Sequence, residues 1–497
     1  MRLKSSVYVN SVLYSGGNIL LQAFSFFLIP LYTAFLSTEQ YGIINLANSF
    51  TAVLGFIIAF GLQFSVKRYY TEYKESRERV ARMYSSAINF VIFFSLLVIL
   101  VFLPSITIWS GSLLPGLEVK IVVIAVLIGC SSGLTTIYQD ILKGMQQAKK
   151  SVLVTYVMFF LLVSMNIVAV VVLQLGATGI LLSSLIGNII LAGYMFYDLK
   201  KQSLYLFCFD KTEFFNLVKY SAPLLPHTLA FSIYSYFARI IITSKLSLAI
   251  LGLYSLATQF GNVSDIVLNS VQSAFQPWMF DRMKENGVDS KYQIQRTTHI
   301  LMWLYGFMFI LIGAYSQEAI LIMADKNFAE AWHYVPIMVF SIALKSPLYF
   351  YNNFLYYEKS KTKYILYSTV VGSVLSILFI FALIPSLGVY GVILAEALAM
   401  LVRLAIAVYY TRKETANIYS LVKLELLSFI PMIFLAIAIA PSYLLFENKL
   451  SGINIAYKAI VFLIYALFFA FLYKDSIIPL IKKSNNEKNY PPLFPKF

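Results

Sequence analysis

The chain has few charged residues for its length. Asp, Glu, Lys and Arg make up only 12% of its 497 residues, whereas a soluble globular domain carries about 25%. Hydrophobic residues make up 60% of the chain, and its mean hydropathy is +0.77. This shortage of charge excludes a soluble globular protein, so the sequence predicts an integral membrane protein.

Cysteine and histidine are also scarce. Two cysteines, Cys130 and Cys208, lie in an apolar segment and a basic loop, which excludes a disulfide framework or a CxxC metal motif. The three histidines, His227, His299 and His333, share no metal-ligand spacing. Nucleotide-binding, nucleophile-elbow and zinc-protease motifs are missing as well. The sequence therefore predicts a protein that is not an enzyme and binds no metal.

Long apolar runs, in contrast, are abundant. A helix needs about 20 mostly apolar residues to cross the hydrocarbon core of a bilayer. The sequence predicts an all-α integral membrane protein with about 14 transmembrane helices, numbered here as spans 1–14. Their ranges are 8–35, 41–66, 83–104, 119–138, 152–174, 178–197, 219–243, 249–275, 293–314, 331–351, 364–384, 388–410, 424–446 and 454–473.

The basic residues are distributed unevenly between the loops. Thirty of the 38 Lys and Arg residues fall on the side that holds both termini, in loops such as "KRYYTEYKESRERVAR" and "LKGMQQAKK". Five fall on the other side: Lys120, Lys245, Lys326, Lys449 and Lys458. The positive-inside rule then predicts that both termini are cytoplasmic. Because the net charge of +15 is explained by topology, we expect no nucleic-acid partner.

Two pairs of segments indicate an internal repeat. "YGIINLANSF" (41–50) aligns with "LGLYSLATQF" (251–260), and "LGATGILLSSL" (175–185) aligns with "LGVYGVILAEA" (387–397). We therefore predict two six-helix lobes related by a pseudo-twofold axis, 1–215 and 216–415, followed by appended helices (416–475) and a cytoplasmic tail (476–497). Parallel repeats of this kind occur in transporters, with the binding site between the halves. The alternative is that glycine-rich hairpins between membrane helices simply look alike.

Span 8 carries a continuous polar face. Its polar residues recur at steps of three or four, which places them on one side of a helix: Tyr254, Thr258, Asn262, Asp265, Asn269, Gln272 and Gln276. Lipid cannot satisfy such a face, so it predicts a water-filled cavity. Weaker versions occur in span 1, with Asn18 and Gln22, and in span 10, with Lys345. The alternative is interhelical hydrogen bonding, which contributes about 0.6 kcal/mol per contact on average.

Three cations and two acids lie within apolar spans: Arg239, Lys345, Arg403, Asp265 and Glu396. A charge at the centre of a membrane helix costs about 2.5–3.5 kcal/mol on insertion scales. Folding spans 7 and 8 as a hairpin leaves Asp265 about 10 Å deeper than Arg239, and Arg403 lies two turns from Glu396. We therefore expect cations without committed acidic partners, which suits a phosphate-bearing ligand. Snorkelling to the headgroups is the alternative for Arg239 and Arg403.

These spans, the repeat and the stretch "ARIIITSKLSLAILGLYSLATQF" (238–260) resemble the Wzx-type flippases of polysaccharide biosynthesis. That family shares a superfamily with multidrug exporters and lipid II flippases, and the resemblance covers essentially the whole chain. Arg239 matches the family's arginine, whereas Ala238 stands where an aspartate is common. The resemblance implies a bacterial or archaeal cytoplasmic membrane protein that moves an undecaprenyl-diphosphate-linked oligosaccharide to the outer leaflet. It also implies a glycan polymerase and glycosyltransferases of the same pathway as partners.

The sequence thus predicts a flippase that works by alternating access, without a cofactor. Asp265 or Glu396 would couple transport to protons or sodium. The predicted substrate-binding residues are Arg239, Lys345, Arg403, Thr258, Asn262, Asn269, Gln272, Asn18 and Gln22. A multidrug cation antiporter is the first alternative, although it calls for a cavity dominated by acids. A lipid II flippase is the second, although the arginines expected in its first span are missing here.

Overall fold

The computed structural model describes residue 24 and residues 26–285, 287–416, 418–419 and 421–472. All regular secondary structure in these ranges is helical. Its first half contains α1 (Ile29–Phe35), α2 (Thr38–Ala59), α3 (Leu62–Tyr73), α4 (Arg77–Phe102), α5 (Ile106–Leu113), α6 (Val119–Gly144), α7 (Ala148–Ile167), α8 (Gly176–Lys201) and α9 (Lys211–Ser221). Its second half contains α10 (Leu225–Lys245), α11 (Leu248–Glu285), α12 (Val288–Ala314), α13 (Ser316–Met323), α14 (Val335–Ala343), α15 (Lys345–Tyr357), α16 (Lys363–Leu387), α17 (Val389–Thr415), α18 (Leu421–Leu444) and α19 (Gly452–Leu472).

Eleven segments of the described chain are long and apolar enough to cross a membrane. They correspond to predicted spans 2–6 and 9–14, and they make this a multi-pass membrane protein. Span 1 lies largely outside the described residues. Spans 7 and 8 correspond to α10 and α11, which have 21 and 38 residues. Both helices are long enough to cross a membrane, but their composition is too polar for them to count among the eleven segments. The all-helical fold is therefore confirmed, while the total of fourteen spans stays a prediction.

Predicted span 2 is not one continuous helix. α2 ends where Phe60 and Gly61 adopt positive φ angles of 50° and 66°, and α3 begins at the next residue. Such angles lie in the left-handed region, which interrupts a right-handed helix. α11, the counterpart of α2 in the repeat, runs unbroken for about 57 Å at 1.5 Å per residue. The two repeat-related spans therefore differ in their C-terminal halves.

The N-terminal ends of α2 and α11 cross in close backbone contact. A Cβ atom on Gly42 would lie 2.0 Å from the carbonyl oxygen of Leu248, and one on Gly252 would lie 1.9 Å from that of Thr38. The contact is reciprocal, because both glycines and both carbonyl residues are related by the same 210-residue offset. Only glycine permits this approach. We call this crossing the glycine seam.

The buried hydrophobic residues form two clusters, and these do not divide at residue 215. The cluster centred on the first half also holds Tyr234 and Ile241 of α10 and Ile384 of α16. The cluster centred on the second half also holds Ile29 and Tyr41, from α1 and α2. Each half therefore packs helix ends into the core of the other. The predicted boundary at 215/216 stays a prediction drawn from the repeat.

The appended helices α18 and α19 are bound to the second half by aromatic packing and by a sealed ion pair. The Trp303 and Tyr465 rings lie 5.0 Å apart. Lys458 Nζ lies 2.7 Å from both carboxylate oxygens of Glu318, and Asn454 Nδ2 donates to Glu318 Oε1 at 3.2 Å. The lysine and glutamate side chains are 0% and 6% exposed. The sequence does not predict this pair, because the alternation of the loops assigns Lys458 to the outer side.

A short polar helix, α9, joins the two halves. It begins at Asp210, whose side chain accepts hydrogen bonds from the backbone N–H groups of Thr212 and Glu213 at 2.9 and 3.1 Å. A single 3₁₀ turn, Ala222–Leu224, separates it from α10. The predicted start of span 7, residue 219, lies inside α9. α10 begins six residues later, after this proline-containing turn.

Candidate functional site

A cavity of about 430 Å³ lies among α10, α11, α14, α15, α16 and α17. Seven of the predicted site residues line it: Arg239, Thr258, Asn262, Asp265, Lys345, Glu396 and Arg403. We call it the charged cavity. All of its described lining residues belong to the second half, whereas the sequence predicts a site between the halves. The predicted residues Asn18 and Gln22 lie outside the described residues.

Lys345 and Asp265 form an ion pair in the wall of the charged cavity. Lys345 Nζ lies 2.9 Å from Asp265 Oδ1, and the two side chains are 23% and 28% exposed. The expectation that Lys345 has no committed acidic partner is therefore wrong. That expectation compared Asp265 with Arg239 on the neighbouring span, whereas its partner comes from α15. Because both side chains face the cavity, the pair is open to competition from a ligand.

Arg403 and Glu396 form a second ion pair, along a single helix. Arg403 Nη1 lies 3.1 Å from Glu396 Oε1, Nη2 donates to Ser373 Oγ at 3.3 Å, and Ser376 donates to Glu396 Oε2 at 2.9 Å. The expectation that two turns keep these groups apart is wrong. Side chains in a helix lean toward its N-terminus, so the long Arg403 side chain reaches back toward Glu396. With its side chain 8% exposed, Arg403 does not snorkel.

The tight fit of Arg403 depends on α16. A Cβ atom on Gly372 would lie 2.2 Å from Arg403 Nε, so the helix surface is open only because this residue is glycine. Gly372, Ser373 and Ser376 are not among the residues predicted from the sequence. The available signal was "GSVLS" (372–376), a cluster of small polar residues in an otherwise apolar span. These residues make a polar slot that holds the Arg403–Glu396 pair.

Arg239 differs from the other two cations. Its Nη1 donates to the Ser235 carbonyl oxygen at 2.9 Å and also to Ser235 Oγ, while its Nε, like that of Arg403, is buried without a hydrogen-bond partner in the described structure. Within the described ranges, no acidic side chain forms an ion pair with Arg239. Its side chain lines the cavity beside Tyr234 and Tyr254, in a position that favours the cavity role over snorkelling. Its guanidinium is thus partly satisfied and available to an anion.

The polar face of α11 is divided between two cavities. Its first part, with Tyr254, Thr258, Asn262 and Asp265, lines the charged cavity. Gln272 lines a neighbouring cavity of about 440 Å³. Asn269 lies between them: its Nδ2 donates to the Asp265 carbonyl oxygen at 2.8 Å, and its Oδ1 accepts from Tyr349 Oη at 2.6 Å.

The charged cavity carries a small excess of positive charge. Three cations and two carboxylates line it within the described chain, which leaves one net positive charge. Two of the cations are paired, so the excess is located at Arg239. No group of three or more His, Cys, Asp or Glu side chains in the described ranges is placed to hold a metal ion. The arrangement can neutralise one anionic group and offer hydrogen bonds around it.

A family described as polysaccharide biosynthesis proteins matches residues 7–283 of the chain. The chain is also similar to two proteins of Haemophilus influenzae. It is 21% identical to "Lsg locus putative protein 1" over 418 residues, which cover 78% of this chain and 95% of that protein. It is 24% identical to an "Uncharacterized membrane protein" over 198 residues, which cover 39% of this chain and about half (48%) of that relative.

Two solved structures share the fold. The inward closed conformation of the lipid II flippase MurJ has a TM-score of 0.71 at 14% identity, over 95% of this chain and 100% of that one. The inward-facing conformation of a multidrug resistance MATE transporter has a TM-score of 0.65 at 12% identity, over 80% of this chain and 95% of that one. At these identities the likeness concerns the fold alone.

Proposed function

Because the chain belongs to the polysaccharide biosynthesis protein family, we propose that it is a flippase for an undecaprenyl-diphosphate-linked oligosaccharide. In this proposal it carries the repeat unit from the cytoplasmic to the outer leaflet by alternating access. The product would serve O-antigen, capsule or exopolysaccharide assembly. Structural likeness to a lipid II flippase and to a multidrug transporter supports a carrier fold over an enzyme.

The observation that carries the proposal is the state of Arg239. It lines the charged cavity with no acidic partner among the described residues, while Lys345 and Arg403 are each paired. An uncompensated guanidinium in a desolvated site attracts an anion, and its planar fork suits phosphate oxygens. Arg239 therefore binds the diphosphate or an acidic sugar in this proposal.

The two ion pairs supply further cations only when their acids are released. An incoming anion competes with Asp265 for Lys345 and with Glu396 for Arg403. A carboxylate freed in this way takes up a proton or a sodium ion, which couples substrate movement to an ion gradient. Asp265 is the first candidate for this role, because its pair is more exposed to the cavity than the Arg403–Glu396 pair.

The remaining parts of the proposal concern the neutral substrate groups and the membrane. Thr258, Asn262 and Asn269 hydrogen-bond sugar hydroxyls, and Gln272 does so in the neighbouring cavity. Asn18 and Gln22 remain proposed contacts from span 1. The prenyl tail stays in lipid and leaves through a lateral opening beside α18 and α19. We place the protein in the cytoplasmic membrane with both termini cytoplasmic, together with a glycan polymerase and glycosyltransferases of its pathway.

The residues of the charged cavity and of span 1 do not favour the two alternatives. A cation exporter needs more acids than bases, whereas three cations face two carboxylates here. A lipid II flippase shares the fold but is expected to have arginines in its first span, where this chain has Asn18 and Gln22.

The proposal is tested by deleting the gene in its native host. Surface glycan and the cytoplasmic-leaflet pool of prenyl-diphosphate-linked oligosaccharide are then quantified, with a plasmid-borne copy as the control. We expect loss of surface glycan together with accumulation of the completed precursor inside. Unchanged glycan and no accumulated precursor, in a host without a second flippase of this family, would contradict the proposal.

A further inference from the structure

The second cavity, of about 440 Å³, differs in chemistry from the charged one. It lies between α11 and α15 and is lined by four amides and three aromatic rings, with no formal charge among its described lining residues. The amides are Gln272, Gln276, Asn352 and Asn353, and the rings belong to Phe280, Tyr349 and Tyr356. Tyr349 and Asn352 also line the charged cavity, so the two spaces adjoin. We call the second space the amide cavity.

The amides hydrogen-bond to one another, but three of their polar atoms have no hydrogen-bond partner in the described structure. Gln272 Nε2 and Gln276 Nε2 both donate to Asn353 Oδ1, at 2.6 and 3.1 Å. Gln272 Oε1, Asn352 Oδ1 and Asn353 Nδ2 are buried and have no hydrogen-bond partner within the described structure. Asn353 is 0% exposed and Gln272 is 9% exposed. Helix-to-helix hydrogen bonding does not account for these atoms, because buried polar groups without partners destabilise a protein.

The unpartnered atoms comprise acceptors and a donor. A hydroxyl group can donate and accept at once, so a molecule rich in hydroxyls can satisfy both kinds of atom. Phosphate and carboxylate groups only accept, and no cation lines the amide cavity. The volume lies in the ordinary range for small-molecule sites, about 300–1,000 Å³. The chemistry therefore excludes an anion and favours an uncharged polyhydroxylated ligand.

The rings provide the apolar part of such a site. Tyr356 is 46% exposed, and its hydroxyl receives no anchoring hydrogen bond from the four amides. Tyr349 is fixed by its hydroxyl group, which donates to Asn269 Oδ1 at 2.6 Å. The face of an aromatic ring carries partial negative charge and attracts the partly positive C–H groups on a sugar face. Aromatic rings among amides thus match a pyranose, which presents hydroxyls at its rim and C–H groups on its faces.

We infer that the amide cavity is a subsite for an uncharged sugar unit of the transported glycan. The inference rests on the proposed flippase function and assigns different parts of the substrate to the two cavities. Arg239 takes the anionic group, and the amide cavity takes a neutral sugar. Along α11, the 14 residues from Thr258 to Gln272 rise about 21 Å. The two cavities together therefore select an extended oligosaccharide that is charged at one position and neutral at another.

The test is saturation-transfer NMR on the purified full-length protein in lipid nanodiscs. The probes are three neutral disaccharides, maltose, lactose and N,N′-diacetylchitobiose, with methyl glucuronide as the anionic comparison. Tyr356→Leu removes a ring and Asn352→Ala removes an amide, while Tyr356→Phe keeps the ring. The matched controls are Tyr197→Leu, at a residue 62% exposed on α8, and Asn216→Ala on α9. All variants must elute as the wild type does on size exclusion.

We expect at least one neutral disaccharide to bind the wild type. Its binding should weaken by roughly tenfold in Tyr356→Leu and in Asn352→Ala, the scale for loss of one contact at the centre of a site. Tyr356→Phe and both controls should bind like the wild type. Binding of methyl glucuronide alone, or neutral binding that is equal in all variants, would overturn the inference.

The inference and the proposed function fail in different ways. If neutral sugars bind as expected but gene deletion leaves surface glycan and precursor unchanged, the subsite stands and the flippase proposal falls. If deletion blocks glycan export but Tyr356→Leu and Asn352→Ala restore export fully in the deleted host, the flippase stands and the subsite falls.

Discussion

The repeat-related helices α2 and α11 carry different kinds of side chain at corresponding positions. After Tyr254, the polar face of α11 continues with Thr258, Asn262, Asp265, Asn269, Gln272 and Gln276. At an offset of 210, the corresponding residues in the first half are Asn48, Ala52, Gly55, Ala59, Leu62 and Val66. Only Asn48 keeps a polar side chain. One half has therefore lost, or never had, the groups that line the cavity in the other.

The packing of the two helices shows what replaces those groups. A Cβ atom on Gly55 of α2 would lie 2.1 Å from Ser132 Oγ of α6, so these two helices meet with no space between them. At the corresponding position of α11, Asp265 instead reaches Lys345 across the cavity wall. The first half is thus close-packed where the second half is open. A repeat in the backbone does not imply two equivalent sites.

The strongest way to break this comparison is to give α2 the residue that α11 has. We expect Gly55→Asp to abolish folding or to lower stability by about 3 kcal/mol or more, because it buries an unpaired carboxylate in a tight helix contact. Thermal melting by fluorescence-detected size exclusion measures this. Ala52→Asn makes the matching replacement at an exposed position, aligned with Asn262, and should melt close to the wild type. Equal melting of the wild type and Gly55→Asp would refute the close-packed description of α2.

The next largest effect concerns the ion pair that is sealed, in contrast to those in the cavity. Lys458→Met leaves the Glu318 carboxylate buried and unpaired, and should destabilise the protein by about 3–5 kcal/mol. The double variant Glu318→Leu with Lys458→Met should recover much of that loss, since neither charge remains. Lys345→Met is the matched control: Asp265 is 28% exposed to the cavity, so we expect a loss below about 1 kcal/mol. Urea or thermal unfolding would compare them, and similar losses for both lysine variants would be the contrary result.

Variants of Arg239 test the difference between the two halves by measuring transport instead of stability. It aligns with Ile29 in the first half, so Arg239 has no cationic counterpart at the corresponding position. Loss of a hydrogen bond to a charged group costs about 1.5–3 kcal/mol, which corresponds to a roughly tenfold to hundredfold fall in glycan export for Arg239→Gln and Arg239→Ala. Arg239→Lys should keep part of the activity, because it keeps the charge without the planar fork. Export is measured as surface glycan in the deleted host at matched expression. Equal export by all three variants would contradict the proposal that Arg239 contacts an anionic group of the substrate.

The smallest expected effect concerns Asp265. Asp265→Asn removes a carboxylate whose partner is partly exposed, so stability should change by less than about 1 kcal/mol. Export should continue more slowly and lose its dependence on an imposed proton or sodium gradient, because no carboxylate remains to take up the ion. Transport into vesicles with and without the gradient gives the measurement, and Glu39→Gln at the N-terminal end of α2 serves as the control. If export by Asp265→Asn still depends on the gradient as in the wild type, Asp265 is not the coupling residue.

Local sequence properties predicted most of the fold. Apolar length and helical periodicity depend only on neighbouring residues, and they located the eleven apolar spans of the described chain. They failed at the interruption of span 2, where Phe60 and Gly61 adopt positive φ angles inside an otherwise apolar run. They also failed for α9, which is short and polar and packs against α3 and α4 of the first half, where Glu213 pairs with Arg79.

The sequence predicted many of the residues that line the candidate site, but not which of them form ion pairs. The polar face of α11 was visible in the spacing of its residues, and seven predicted residues do line one cavity. The Lys345–Asp265 pair could not be found in this way, because it depends on how α11 and α15 rotate and approach. The Arg403–Glu396 pair was within reach, since the direction of side chains along a helix already brings the two groups together. Asn353 of α15 was overlooked, because its role appears only beside the amides of α11.

The glycine seam has a consequence for how the two halves can move. Each glycine meets a main-chain carbonyl of the opposite helix, so at the seam the two halves touch through backbone atoms and not through interlocking side chains. An alanine at Gly42 or Gly252 would place its methyl group 2.0 or 1.9 Å from a carbonyl oxygen and would force the two helices apart. How closely the two halves approach each other at this point is therefore set by two residues that have no side chain.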